Sequence, residues 1–125
     1  DYARGRAYRR DPLRGTSHGA TAWQTARFYY LLQAGQLASE EQTRLMLDAL
    51  ARPALKHKFV RGLAGKDFDR MHRKSGTWRQ HHADSVMVIS GSEAYILVAL
   101  ARDPRAGEWL ERLAPRLHDL AMGDA

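Results

Sequence analysis

Hydrophobic spacing changes about halfway along the chain. Residues 21–66 carry apolar side chains at helical spacing, whereas residues 67–102 carry them alternately or in continuous runs. Residues 103–125 return to helical spacing, and residues 1–20 are polar and rich in Arg and Gly, which predicts a loop or an extended segment. The pattern therefore predicts helices, then strands, then a C-terminal helix.

The start and end signals of the first two helices are clear. Thr21 can cap the first helix, which is predicted to run to about Gln33 and to end at Gly35. Ser39 and Gln42 have the spacing of a capping box at the start of the second helix. The side chains predicted to face inward from the second helix are Leu45, Met46 and Leu50.

Two further helices are predicted, one on each side of the strands. The segment ALKHKFVRGLAGK predicts a short helix, and the last helix is predicted to begin at Asp103-Pro104. Pro115 is expected to kink the last helix, because proline removes a backbone donor. The side chains predicted to face inward from it are Trp109, Leu110, Leu113, Leu117 and Leu120.

Three antiparallel strands are predicted in DRMHRKSGTW, HHADSVMVIS and EAYILVALA. Gly91-Ser92 joins the second and third, and glycine in the first position predicts a type II′ turn. The near-continuous apolar run of the third strand predicts that it is covered on both faces, so another element must pair with it or cover it. The predicted fold class is α+β, an α/β sandwich that forms a single incomplete domain.

The bulk composition limits the kind of protein. The length of 125 residues fits one domain or part of one, and the hydrophobic fraction of 44% argues against disorder. There is no cysteine, which excludes a disulfide framework, a thiolate nucleophile and a Cys-based zinc site. No apolar run approaches the roughly 18 residues of a membrane-spanning helix, and the first ten residues contain no signal-peptide core.

The formal net charge is +6, and five arginines fall within the first fourteen residues. Such a segment can attract nucleic acid, but no groove-reading motif accompanies it. We therefore interpret it as a solvated basic segment and expect no nucleic-acid partner. The five are Arg4, Arg6, Arg9, Arg10 and Arg14.

The histidines and acidic residues do not predict a metal site. His81 and His82 are adjacent in a strand, so their side chains point to opposite faces and cannot easily share one ion. We expect the histidines to be surface or capping residues. Asp69 and Asp84 could act as general bases, but carboxylates at strand ends are more often solvated.

The tripeptide Lys74-Ser75-Gly76 is the candidate site. A lysine ammonium beside a hydroxyl can bind an anion, and a glycine in a strand often marks a place where something approaches the backbone closely. The N–H of Thr77 is unpaired if this is an edge strand, and it can then point at a developing oxyanion. The alternative is an edge strand protected by a solvated lysine. Trp78 could equally line a cleft or serve packing.

The placement of this tripeptide resembles the class A β-lactamase-like serine hydrolases of the penicillin-recognising superfamily. Their K-T-G strand corresponds to Lys74-Ser75-Gly76. Thr21-Ala22-x-x-x-Ala26 is similar to the family's helix after the Ω-loop, and Gly35-Gln36-Leu37 is similar to the turn that follows. The last three strands and EWLERLAPRLHDLAM, the final helix, complete a resemblance over roughly residues 16–122, which implies part of the β-lactamase/transpeptidase-like fold.

Other motifs of the family are missing. No serine has a lysine three residues later, so there is no S-x-x-K nucleophile. The chain has no asparagine, and therefore no S-D-N motif and no Ω-loop Glu with its downstream Asn. In the family these motifs precede the K-T-G strand. The resemblance thus implies the C-terminal part of such a hydrolase, inactive by itself, whose sheet is completed by the N-terminal half of the protein or by self-association.

The resemblance implies acyl transfer through an acyl-serine intermediate, on a β-lactam or a peptidoglycan-like amide. In it Lys74 and Thr77 would be catalytic, while Ser75, Gly76 and Trp78 would contact the substrate. It implies no metal or organic cofactor and a periplasmic or secreted location. The alternatives are a D,D-peptidase or esterase on the same fold, or a non-catalytic binding module that lacks the nucleophile.

Overall fold

A computed structural model describes residues 19–123. The helices and strands are α1 (Ala22–Gln33), α2 (Glu40–Leu50), α3 (Phe59–Gly62), β1 (Arg70–Trp78), β2 (His81–Ser90), β3 (Glu93–Arg102) and α4 (Ala106–Met122). Their order confirms the predicted succession of helices, three strands and a last helix. The loop expected over residues 1–20, with its arginines, lies outside the described residues except for the last two positions, which precede α1 without regular structure.

The predicted helix caps are present. Thr21 Oγ1 accepts a hydrogen bond from the Gln24 N–H at 3.1 Å, and the Gln24 side chain accepts one from the Thr21 N–H at 2.9 Å. Gly35 follows α1 with φ +67°, a left-handed conformation that suits glycine. Ser39 Oγ accepts from the Gln42 N–H at 3.3 Å at the start of α2. These local bonds explain why the first two helices begin where the sequence predicts.

The strands form one antiparallel sheet in the order β1-β2-β3. Each hairpin has a two-residue turn, because Trp78 pairs with His81 and Ser90 pairs with Glu93. Gly91 has φ +59° while φ at the following serine is negative, which confirms the predicted type II′ turn. The other hairpin has the same pattern, but Arg79, at φ +53°, occupies the position that suits glycine.

Helices cover both faces of the sheet. The helices α1 and α2 pack on one face, and α3 and α4 pack on the other. The first core cluster consists of Tyr29, Met87 and Ile89. The second consists of Phe59, Leu63, Val86, Val88, Leu110 and Ala114. Because β2 contributes to both clusters, it is the buried strand of the sheet.

The third strand is less buried than its apolar run predicts, although α1 packs against one of its faces and α4 against the other. The residues of β3 are half-buried or exposed, because β3 lies at the edge of the sheet and not at its centre. Continuous burial falls on β2, from Asp84 to Ile89. An apolar run alone therefore did not distinguish a central strand from an edge strand.

The inward faces of two helices differ from the prediction. Leu45 is 62% exposed, and the contact face of α2 is formed by Met46, Leu47 and Leu50. In α4 the side chains of Trp109, Leu113 and Leu120 are exposed, and Leu110 alone of the larger predicted residues is buried. The buried stripe of α4 is Ala106, Leu110, Ala114 and His118.

Close packing of α3 on α4 explains why the buried face of α4 differs from the predicted one. A Cβ added at Gly62 would lie 2.2 Å from the Glu111 carbonyl oxygen and 2.8 Å from Ala114 Cβ. Only small residues allow the two helices to approach so closely, so the small side chains of α4 turn inward. Pro115 lies inside α4, which continues to Met122. No helix within residues 19–123 has both the length and the apolar character needed to cross a bilayer.

Candidate functional site

The outer edge of β1 presents backbone groups to solvent. The Asp103 N–H donates to the Gln80 carbonyl at 2.9 Å, which shows that the backbone groups of His81 turn toward β1. Trp78 and His81 are therefore a hydrogen-bonded pair, and alternate residues of β1 point the other way. The N–H and C=O of Thr77 consequently point away from β2. Within residues 19–123 no strand pairs with this edge.

Lys74 and Ser75 lie on opposite faces of β1 beside that edge. Lys74 is exposed, and its ammonium donates to the Ser75 carbonyl. Ser75 is half-buried and lies opposite Asp84 in the strand register. Both side chains are therefore attached next to the outward-pointing backbone of β1, but they reach it from different faces of the sheet.

Gly76 is not required by the fold. Its φ is not in the left-handed region, and among residues 19–123 a Cβ added there would meet only Ala83 Cβ, at an ordinary contact distance of 3.8 Å. A larger side chain would fit the strand itself. The absence of a side chain thus leaves the surface of β1 open without serving packing, which is what an approach by a ligand needs.

A shallow depression of about 680 Å³ lies at the hairpin end of the sheet. Gly76, Thr77 and Trp78 line it on β1, and Leu100 and Arg102 line it on β3. Trp78 is exposed, so it forms a wall of this depression and is not a core residue. Neither Lys74 nor Ser75 lines the depression, which places it beside the open edge and not along it.

Lys58 binds the same strand from the α3–α4 face. Its Nζ lies 2.8 Å from the Gly76 carbonyl oxygen, 3.1 Å from the Ala83 carbonyl oxygen and 2.9 Å from Thr77 Oγ1. The side chain is buried, and burial together with the nearby charges of Arg73 and Lys74 lowers the pKa of Lys58, while Asp84 opposes that change. A buried cation therefore lies beneath the candidate oxyanion residue.

A buried ion pair holds the middle of β1. Arg73 Nε donates to Asp84 Oδ1 at 2.8 Å and Arg73 Nη2 donates to Asp84 Oδ2 at 3.1 Å. The guanidinium also donates to the Leu55 carbonyl at 2.6 Å and to His57 Nδ1 at 2.8 Å. Asp84 Oδ2 accepts the Phe59 N–H at 3.0 Å. This network ties the segment before α3 to β1 and β2.

The other face of the sheet contributes a hydroxyl chain. The hydroxyls of Tyr29 and Ser85 lie 3.0 Å apart, and Ser85 Oγ donates to the Lys74 carbonyl at 2.8 Å. Burial raises the pKa of Tyr29, so its phenol remains a neutral hydrogen-bonding group. The backbone at Lys74 is in this way anchored to α1 through β2.

Comparison with known families identifies the family of this chain. The model of the Beta-lactamase enzyme family matches residues 4–120 of the chain. The chain belongs to the beta-lactamase enzyme family. The resemblance inferred from the K-S-G strand and the surrounding segments is confirmed at the level of the family. No protein of curated function matches this member of the family.

A solved structure shows the same fold. The β-lactamase from Sphaerobacter thermophilus DSM 20745 superposes with a TM-score of 0.69 at 22% sequence identity, which confirms the β-lactamase-like α+β fold. The match covers 85% of this chain and 41% of that chain. This family member therefore spans less than half the length of that β-lactamase.

Several buried polar residues of this family member were not expected from the sequence. His72 and His118 are buried, so they are not the surface residues that were one of the two expectations for the histidines. Asp84 is buried in its ion pair, so the prediction of a solvated carboxylate is wrong. His72 Nδ1 lies 2.9 Å from the Leu47 carbonyl oxygen, and His118 Nδ1 lies 2.7 Å from the Tyr95 hydroxyl. Within residues 19–123 no three His, Asp or Glu side chains are grouped as metal ligands.

Proposed function

We propose that this chain supplies the substrate-binding and oxyanion strand of a β-lactamase-like serine hydrolase. The reaction would be acyl transfer through an acyl-serine intermediate, on a β-lactam or a related amide. The observation that carries the proposal is the outer edge of β1, where the Thr77 N–H points outward beside the Lys74 ammonium. Membership of the beta-lactamase enzyme family supports the reaction class.

The last five residues of β1, from Lys74 to Trp78, each have a role in the proposed reaction. Lys74 would bind the substrate carboxylate, and Ser75 Oγ, which makes no hydrogen bond within residues 19–123, would donate to the same group. The Thr77 N–H would donate to the carbonyl oxygen as it becomes an oxyanion. Gly76 would allow the substrate to lie against the strand, and Trp78 would form one wall of the cleft.

The nucleophile must come from outside this chain, because no S-x-x-K is present. A serine hydroxyl would add to the amide carbonyl and lose its proton to a base, and the C–N bond would then break as the nitrogen takes up a proton. We propose that the N-terminal half of the protein supplies that serine, and that either this half or self-association completes the sheet by pairing with β3. Exposed apolar side chains on β3 and α4 support a covering element: Leu100, Trp109, Leu113 and Leu120.

Three further points complete the proposal. We expect a periplasmic or secreted location, because proteins of this family act on extracytoplasmic substrates. No metal or organic cofactor is needed for the proposed chemistry. A D,D-peptidase or esterase on the same fold would use the same strand and would differ in the deacylation step, whereas a binding module would keep the strand without the serine.

Labelling with penicillin tests the proposal. The protein purified as its gene expresses it is incubated with benzylpenicillin, and its intact mass is followed over time. We expect a covalent adduct in the wild type and at least about tenfold slower labelling in Lys74→Ala, because the carboxylate loses its cation. Lys56→Ala is the matched control, since Lys56 is exposed and lies beside Arg70 and Met71, at the end of β1 opposite to Thr77.

The outcomes separate the candidate functions. Rapid loss of the adduct identifies a β-lactamase, and a long-lived adduct identifies a D,D-peptidase-like enzyme. Reversible binding of penicillin without an adduct supports the binding module. The proposal is wrong if penicillin neither labels nor binds the protein, or if Lys74→Ala and Lys56→Ala label equally fast.

A further inference from the structure

We propose that Lys58 is a positioning residue for the K-S-G strand: its ammonium fixes the Gly76 carbonyl and the Thr77 hydroxyl and thereby aims the Thr77 N–H at the substrate. This inference rests on the proposed function, because it assigns a role in the same site. Lys58 lies outside the K-S-G tripeptide and enters the site only through the folded chain.

The contacts of Lys58 match the donor capacity of a lysine ammonium. The group has three N–H donors, and three acceptors lie within 3.1 Å of it: two carbonyl oxygens and one hydroxyl oxygen. Two of these acceptors, the Gly76 carbonyl and Thr77 Oγ1, belong to consecutive residues of β1. The third, the Ala83 carbonyl, belongs to the neighbouring strand. The ammonium therefore joins β1 to β2 at the residue that presents the oxyanion donor.

The backbone of Lys58 indicates that the side chain is held under strain. Lys58 has φ 54° and ψ −125°, a conformation that residues other than glycine rarely adopt. A residue of this kind persists when its surroundings overdetermine it. Here the Phe59 N–H is bound to Asp84 Oδ2, and the ammonium is bound at the opposite end of the side chain. The strain is thus located in the backbone of Lys58 itself, immediately before α3.

The position of Lys58 explains why it can orient Thr77 without touching the substrate. Lys58 is 4% exposed, so its ammonium lies beneath the strand. Thr77 is exposed, and its N–H and side chain leave the backbone in different directions. Fixing Oγ1 from below limits rotation of the Thr77 peptide at the outer edge of β1. Thr77, which carries the oxyanion donor, is the next-to-last residue of an edge strand. Without the bond to Lys58 its backbone would therefore be less firmly held.

Two substitutions separate positioning from stability. Lys58→Met removes the ammonium and keeps an apolar stem in the strained conformation. Lys58→Gly also removes the ammonium, but it relieves the strain, because glycine adopts this conformation readily. The control is Lys66→Met, which removes a lysine that forms an ion pair with Asp119 of α4. If the role of Lys58 were purely structural, the Lys58→Gly variant would be more stable than the Lys58→Met variant.

The experiment uses the full protein as its gene expresses it and measures two independent quantities. The first is the backbone: ¹⁵N relaxation at Thr77 and hydrogen exchange at the Gly76 amide. We expect the Thr77 order parameter to fall from about 0.85 to below about 0.6 in both Lys58 variants, with at least about tenfold faster exchange at Gly76. The second is penicillin labelling, for which we expect the acylation rate constant to fall at least about tenfold and the binding constant to change less than about threefold.

The two readouts make separate failures visible. If the wild type is not labelled, the proposed function fails, and the order at Thr77 still decides whether Lys58 fixes the strand. The positioning role is overturned if Thr77 and Gly76 keep their wild-type order and protection in both Lys58 variants. It is also overturned if Lys58→Gly acylates at the wild-type rate, or if Lys66→Met reproduces the loss.

Discussion

Arg73 and Asp84 form a bidentate ion pair in the buried layer between β1 and the segment before α3. Their side chains are 2% and 0% exposed, and the two contacts measure 2.8 Å and 3.1 Å. Burying two charges is costly, and each is stabilised here by further hydrogen bonds: the guanidinium to the Leu55 carbonyl and the carboxylate to the Phe59 N–H. The pair therefore fixes the position of the segment before α3 relative to β1.

Removing one partner of this buried pair should lower the free energy of unfolding more than removing one partner of an exposed pair. We expect Asp84→Asn to lower the free energy of unfolding by about 3–5 kcal/mol, because the guanidinium is left buried without its counter-charge. Urea unfolding measures this change. Asp48→Asn is the control, since the ion pair of Asp48 with Arg52 is exposed and should contribute little. Equal midpoints for the two variants would contradict the assignment.

The close approach of α3 to α4 gives a second prediction. A Cβ at Gly62 would meet the Glu111 carbonyl at 2.2 Å, and backbone atoms there cannot move without separating the helices. We expect Gly62→Ala to lower the free energy of unfolding by about 3 kcal/mol or more. The control is Gly107→Ala in the first turn of α4, where the added Cβ would lie 3.5 Å from His82 Nδ1, an ordinary contact.

Thermal and urea unfolding of the two glycine variants measure this difference. Gly107→Ala should be neutral or slightly stabilising, because alanine favours a helix over glycine by about 0.5–1 kcal/mol. If Gly62→Ala unfolds at the wild-type midpoint, the two helices are not in the close contact described here.

Features encoded by neighbouring residues could be predicted from the sequence. The caps at Thr21 and Ser39 and the turn at Gly91 depend on bonds and dihedral angles within a few residues, and they occur where expected. The K-S-G tripeptide and the family could be predicted for the same reason, because motif residues are adjacent. The inward face of α4 could not, because apolar residues occur on more than one side of that helix.

The polar support of the site could not be predicted, because it depends on contacts between distant segments. Lys58 is 18 residues from Gly76 and 25 from Ala83 in the chain, and only the fold brings them together. Asp84 carried a signal that could have been used. A charged residue in the central strand must be paired, and Arg73 stands at a position of β1 where the spacing favours an inward side chain.

The two hairpins provide a matched pair for a third prediction. Arg79 and Gly91 occupy equivalent turn positions with φ +53° and +59°, and only the second is a glycine. We expect Arg79→Gly to raise the free energy of unfolding by about 1 kcal/mol, because it removes the strain of a left-handed residue. Gly91→Ala should lower it by about the same amount, since none of the residues 19–123 has an atom within 4 Å of the added Cβ and only backbone strain is introduced.

Urea unfolding of both turn variants checks the prediction, and the opposite signs are the important result. The guanidinium of Arg79 also lies 5.5 Å from the centre of the Trp78 ring, a contact that Arg79→Gly removes. Relieving the strain of a left-handed residue is worth about 1–3 kcal/mol, and this exposed cation–π contact is worth only about 0.5–1 kcal/mol, so a net gain should still be visible. Loss of stability in Arg79→Gly would show that the contact outweighs the strain.

The bond between Arg73 and His57 predicts how stability depends on pH. His57 Nδ1 accepts a hydrogen bond from Arg73 at 2.8 Å, and burial and the charge of Arg73 hold the pKa of His57 below its usual value of 6.5. The unfolded chain therefore takes up this proton at a higher pH than the folded protein does. Above pH 6.5 the contribution of His57 to stability is complete, and it is lost as the pH falls through the lowered pKa of the folded state.

Substitution of His57 by a residue that does not titrate should remove this part of the pH dependence. His57→Asn keeps an oxygen that can accept from Arg73, so the urea midpoint should fall less between pH 7.5 and about pH 5 than it does in the wild type. Leu55→Asn is the matched control: its side chain is 61% exposed, and its carbonyl still accepts from Arg73. It should keep the wild-type slope. Parallel curves for His57→Asn and the wild type would mean that His57 does not link the ion-pair network to protons, and the acid sensitivity would then have to be assigned to another group.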